Sequence, residues 1–282
     1  MVLEALISAK AAEKEPWEMF FVGMLYAVIA VFLGLFVFGR SDVSLIIVFL
    51  TVLASTMLMY DTLKVEALTD KKSKTEKSML KHHARAVAFF VFLFLGFVVT
   101  FTATYIFLPM DMSQQVFQTQ ISTIQEINSP ITGQATSTNH LTSILFNNFR
   151  VLFFALLFSF FYGTGAIFIL TWNASVIGVA AGMFMKNILA KYLLSSSLGV
   201  AYISSLSAGL FRYLLHGIPE MAAYFIGGLA GGIISYGVIH KNLGKKTFSK
   251  ILQDASALVL VSILILVIAA LMEVYLTPIF FR

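Results

Sequence analysis

Arg212, His216 and Glu220 recur at four-residue intervals in "FRYLLHGIPEMAAYFIGGLAGG", residues 211–232. On a continuous helix that spacing lays a cation, an imidazole and a carboxylate along one face. Such a set can relay a proton, hold an ion or grip a polar substrate. Half of a zinc site also reads this way, with His and Glu four apart. That reading fails on ligand supply. A catalytic zinc needs three protein ligands, H-E-x-x-H is absent, and the chain has five His and no Cys. His82, His83 and His240 fall in basic segments, and His140 in a polar one. No metal is therefore expected. Nucleophile motifs such as G-x-S-x-G and phosphate loops are missing too, so the residues point away from an enzyme and no cofactor is called for.

The surroundings make the three groups unusual. Apolar residues form 59% of the chain and charged residues 12%, against about a quarter charged in a soluble domain. The charges are gathered in blocks, and the runs between them are long enough to span a bilayer. The fold class is all-α: a polytopic transmembrane helical bundle. The net charge of +5 lies in loops and is no nucleic-acid signal; the lipid bilayer is the first partner.

Residues 1–18 are amphipathic and end at Pro16 and Trp17, which predicts an interfacial helix. A transmembrane hairpin follows over 19–60, then a basic connector over 61–85 with six lysines and Arg85. A membrane core domain occupies 86–282, with its third span ending near Leu108. The segment 109–142 has no Lys or Arg and reads as an outer loop. The fourth span is expected over 148–172, three apolar pieces over 174–194, 198–215 and 218–239, and the last span over 255–275. Lys and Arg concentrate on the cytoplasmic side, which places 61–85 and 240–250 inside, the N-terminus inside and the C-terminus outside. Parity then forbids three full crossings between 172 and 240: one piece is re-entrant or interfacial, or two share a single crossing. Lys186, Asn187 and Lys191 make 174–194 the weakest spanner. The expectation is about seven crossings plus one re-entrant or interfacial segment in the cytoplasmic membrane.

A charge at mid-bilayer costs about 2.5–3.5 kcal/mol on insertion scales, so each one calls for a partner. Pro219 removes a backbone donor and predicts a break near 216–219, with Glu220 at the N-terminus of the following helix and Gly217 in the break. On that topology the break lies near the outer leaflet. Arg150 and Glu273 are expected at the same depth, as partners of the cluster or as snorkelling groups, with Asn147, Asn148 and Asn173 as supporting amides. Gly227, Gly228, Gly231 and Gly232 form two overlapping G-x-x-x-G pairs, suited to close helix packing within the chain or to a homo-oligomer.

Two stretches carry a resemblance: "FNNFRVLFFALLFSFFYGTGAIFILTWNASVIG" (146–178) and "HGIPEMAAYFIGGLAGG" (216–232). Their pattern resembles the stage II sporulation protein M family of prokaryotic membrane proteins. The matching positions are Asn147, Asn148, Arg150, Gly163, Asn173, Gly178, His216, Gly217 and Glu220. Leu215 stands where the family often has Pro, and Pro219 lies inside the motif instead. The resemblance implies a membrane scaffold that organises protein partners, since the namesake proteins localise cell-wall-degrading partners during engulfment. The runner-up is a permease or proton pathway lined by Arg212, His216 and Glu220.

Overall fold

A computed structural model of the chain describes residues 15–39, 43–72, 76–128, 137–162, 165–192, 197–239 and 245–280. The expected interfacial helix therefore lies almost wholly outside the described residues, as do 129–136 of the outer loop. Among the described residues the structure is helical throughout. In chain order the elements are α1 (Glu18–Phe38), α2 (Val43–Lys72), α3 (Glu76–Phe107), α4 (Met110–Val116), α5 (Gln118–Asn128), α6 (Ser137–Tyr162), α7 (Ala166–Tyr192), α8 (Leu198–Ile239) and α9 (Lys245–Leu271), then a π-helical turn (Met272–Leu276) and α10 (Thr277–Phe280). Seven helical spans are long and apolar enough to cross a membrane. The protein is a multi-pass membrane protein.

The centre of the bundle is α3. It offers Phe89, Phe90, Leu93, Phe94, Phe97, Phe101 and Tyr105, all buried, to α1 on one side and α7 on the other. Close approach depends on glycine. A Cβ on Gly23 would strike the Leu93 carbonyl, and one on Gly96 would strike Phe20 and Met24. Opposite Gly178, Thr102 donates across the interface to its carbonyl at 3.0 Å. The outward faces are apolar too: Phe21, Phe32 and Phe36 on α1, and Leu260, Leu264 and Ile268 on α9. That inversion suits hydrocarbon surroundings, where every backbone polar group must be satisfied within the helix.

The structure corrects four expectations. First, the fourth span does not run to Trp172. Helix α6 ends at Tyr162 and α7 begins at Ala166. Gly165 lies directly against the backbone of Phe158, a turn too tight for any side chain. Second, 174–194 is not a separate segment up to Tyr192. It belongs to α7, a span of full length. Lys186, which had argued against crossing, is accommodated: its Nζ donates to the Leu108 carbonyl at 3.3 Å and sits 4.8 Å from the Tyr105 ring centroid. A cation at the C-terminal end of α3 is also favoured by the helix dipole.

Third, there is no break at 216–219. Helix α8 runs unbroken for 42 residues with Pro219 inside it. At 1.5 Å per residue it is roughly 63 Å long, about twice the hydrocarbon thickness. Fourth, the first half of the outer loop is not a free loop. Helices α4 and α5 fold onto the bundle, and Phe117 packs edge-on against Phe101. Gln120 is wholly buried, with its Nε2 3.3 Å from Ser175 Oγ on α7 and 3.4 Å from the Ser44 carbonyl at the start of α2. The basic connector is also helical where described, since α2 continues to Lys72 and α3 starts at Glu76.

Candidate functional site: a polar seam between α8 and the end of α9

The site forms where α8 and α9 pack antiparallel. Gly237 of α8 faces Ile251 of α9, and at the other end of the interface Phe211 meets the Phe280 ring at 5.8 Å. Between these points α8 presents Arg212, His216, Glu220 and Tyr224. These four continue the four-residue spacing across Pro219 because the helix itself continues. Pro219 still lacks its donor, so the Leu215 carbonyl loses its usual intrahelical partner beside the site.

The facing wall is the π turn. Thr277 sends both its backbone N–H and its hydroxyl to the Met272 carbonyl, the latter at 3.1 Å. Pro278 follows at once, and its ring would crowd the carbonyl four residues back in a regular helix. The widened turn precedes it and brings Thr277 and Glu273 onto the α8 side. Thr277 Oγ1 lies 3.4 Å from His216 Nδ1. Which of the two donates follows the His216 tautomer. One turn further along both helices, Tyr224 donates to Glu220 Oε1 at 2.6 Å, the length of a hydroxyl–carboxylate bond. Glu273 lies within electrostatic reach of both Glu220 and Tyr224. At the other end of the seam the Arg212 guanidinium stacks 4.8 Å from the Phe184 ring of α7 and 6.0 Å from Tyr213. Such stacking suits a weakly hydrated guanidinium.

Not every expected residue joins. Arg150 faces out of the bundle, 5.3 Å from the Phe146 ring on its own helix, which fits the snorkelling alternative and not the pairing with Glu220. Asn147 also faces outward. Asn173 turns back on its own helix and donates to the Ile169 carbonyl at 2.7 Å. Asn148 is buried on α6, and its Nδ2 has no hydrogen-bond partner. Gly217 is buried near Ile177 of α7. Glu220 is not at a helix N-terminus, so the dipole does not account for it. The glycines pack within the chain: Gly227 against Leu152, Gly231 against the Leu156 carbonyl, Gly228 against Ala166 and Ser159. Gly232 is half-buried on the same helix.

Sequence reasoning missed Tyr224, Thr277, Phe184 and Tyr213. Tyr224 was legible as one more step of the four-residue spacing. Thr277 carried a weaker signal, a hydroxyl just before Pro278. The two aromatic partners of Arg212 had none.

This geometry falls within one stretch of sequence that matches a known family. The sequence pattern of the stage II sporulation protein M family matches residues 85–278, from the start of the α3 span to the residue after Thr277. The chain belongs to the stage II sporulation protein M family. An uncharacterized protein of Methanocaldococcus jannaschii is similar, 34% identical over 139 residues, which is 48% of this chain and 70% of the relative. No solved structure matches the chain. Within the stage II sporulation protein M region lie all of α6–α9 and both sides of the seam, whereas the α1–α2 hairpin precedes it.

Proposed function

We propose that this chain is an integral membrane scaffold that organises partner proteins at the cytoplasmic membrane. The observation that carries the reading is the closure of the seam on itself. Arg212 is stacked between aromatic rings, His216 is bonded to Thr277, and Glu220 to Tyr224. A translocation pathway needs polar groups free to meet water or cargo; these are occupied by their own chain. In this reading the basic segments 61–85 and 240–250 lie on the cytoplasmic side, where they meet anionic lipid or a cytosolic protein. The C-terminus lies outside. A homo-oligomer would meet through the apolar outer faces, since Gly227, Gly228 and Gly231 are occupied within the chain.

The test is transport. Purified protein in sealed vesicles, with a pH-sensitive dye inside and an imposed gradient, should give no proton or cation flux above protein-free vesicles. Flux that disappears in E220Q would replace the scaffold with the second reading, a permease or proton-conducting component. One observation favours that second reading: two glutamates, Glu220 and Glu273, face one seam inside an otherwise apolar bundle.

A further inference from the structure

We propose that Glu220 and Glu273 form a paired proton-binding site in the seam between α8 and the π turn, holding one proton between their two carboxyls. The site goes beyond the scaffold reading and does not depend on it.

The register sets the pair. His216 faces Thr277. In antiparallel helices, one turn forward on α8 is Glu220 and one turn back on the partner is Glu273. The π turn makes this meeting specific. It starts one residue before Glu273 and closes at Thr277, so the chain is widened where the second carboxyl is presented.

Repulsion between the two carboxyls then calls for a proton. The groups beside the pair are His216 and Tyr224 from α8 and Thr277 from beyond the π turn, with Arg212 further along α8. Arg150 is turned outward, and Lys186 of α7 is engaged with the end of α3. His216 bonds Thr277 through Nδ1 and can stay neutral in either tautomer. Arg212 lies two helical turns from Glu220, at the other end of the seam, stacked against Phe184 and Tyr213. Two ionised carboxylates at close range in a low-dielectric bundle repel and lose their hydration. One proton shared between the two carboxyls removes that repulsion, and the Tyr224 hydroxyl supports the carboxylate that remains.

A second observation points to the same occupant. Asn148 is 3% exposed, and its Nδ2 is a buried donor with no partner. It lies one helical turn from Leu152, which contacts Gly227 of α8, and α6 also touches the π turn. A spare amide donor thus lines the seam from a third helix. Together with the Tyr224 hydroxyl it supplies donors for one carboxylate. Among the described residues no three His, Asp or Glu converge in a way that could hold a metal, so the pair suits a proton.

Infrared spectroscopy of the protein in lipid vesicles tests this, because protonated and ionised carboxyls absorb separately. At neutral pH the wild type should show the C=O band of one buried carboxylic acid per chain. E220Q and E273Q should each lose that band, because the surviving carboxyl no longer faces a second negative charge. A single variant that keeps the full band would show one residue protonated independently, and would overturn the sharing. Should either variant fail to fold, the wild type decides alone. Two buried acids, or none, would each contradict the proposal.

Discussion

Thr277 Oγ1 and His216 Nδ1 lie 3.4 Å apart, joining the turn after α9 to the middle of the longest helix. The contact fixes how α8 and the C-terminal turn register against each other, and so decides which carboxyl faces which. Thr277→Val keeps the shape and removes the hydroxyl. It should lower unfolding stability by about 1 kcal/mol, the usual net worth of one hydrogen bond. The change should leave the protein monodisperse in detergent. Denaturant unfolding of the purified protein measures it; no change would mean that the contact does not hold the seam.

Tyr224 and Glu220 should be energetically coupled. Tyr224→Phe retains the buried ring but strips the carboxyl of its donor, at a cost of roughly 1–3 kcal/mol. In an E220Q background the same change should cost less, because an amide can pair differently from a carboxyl. A double-mutant cycle with coupling above about 0.5 kcal/mol is expected. Strict additivity would separate the two residues.

The glycine contacts predict a difference between neighbours. Gly231→Ala drives a methyl into the Leu156 backbone carbonyl, which cannot move without shifting α6. Gly227→Ala meets only the Cδ1 end of Leu152, a flexible terminus. Overpacking costs about 1–3 kcal/mol, and Gly231→Ala should sit at the upper end and Gly227→Ala at or below the lower. Equal losses would mean the two helices are less closely seated than described.

Gln120 ties the outer helices to the bundle. Its two bonds are long, and its Oε1 has no partner, so Gln120→Met should be close to neutral. Gln120→Lys places a charge in a site without a counter-ion and should detach α4 and α5. Limited proteolysis from the side exposing 109–142 should then cut that segment several-fold faster. Unchanged cutting would show that Gln120 is not what seats it.

Much of this architecture was legible in the sequence because lipid imposes simple rules. Apolar runs of sufficient length became spans, and the polar residues left among them marked the seam. What misled was local. Lys186 read as an obstacle because its partners, the Leu108 carbonyl and the Tyr105 ring, come from a helix some eighty residues earlier. Pro219 read as a break because a helix-breaking residue carries its cost in the sequence, while the neighbours that tolerate it do not. Tyr162–Ala166 was hidden inside a continuous apolar run, where only the glycines signalled the turn. Glu273 was visible as a charge near the end of the last span. Its facing of Glu220 depends on a π turn that no periodicity announces.

The central claim is that the seam is closed. The chain has no cysteine, so single cysteines at Gly217, Met221 and Tyr224 can be probed with a membrane-impermeant maleimide applied to each side of oriented vesicles. Ser137 and Ser73 serve as outside and inside controls. The account predicts labelling of the controls from opposite sides and none at the three α8 positions. Labelling that progresses down α8 from 217 to 224, and that changes in an E220Q background, would show a water-filled pathway and contradict the closed seam.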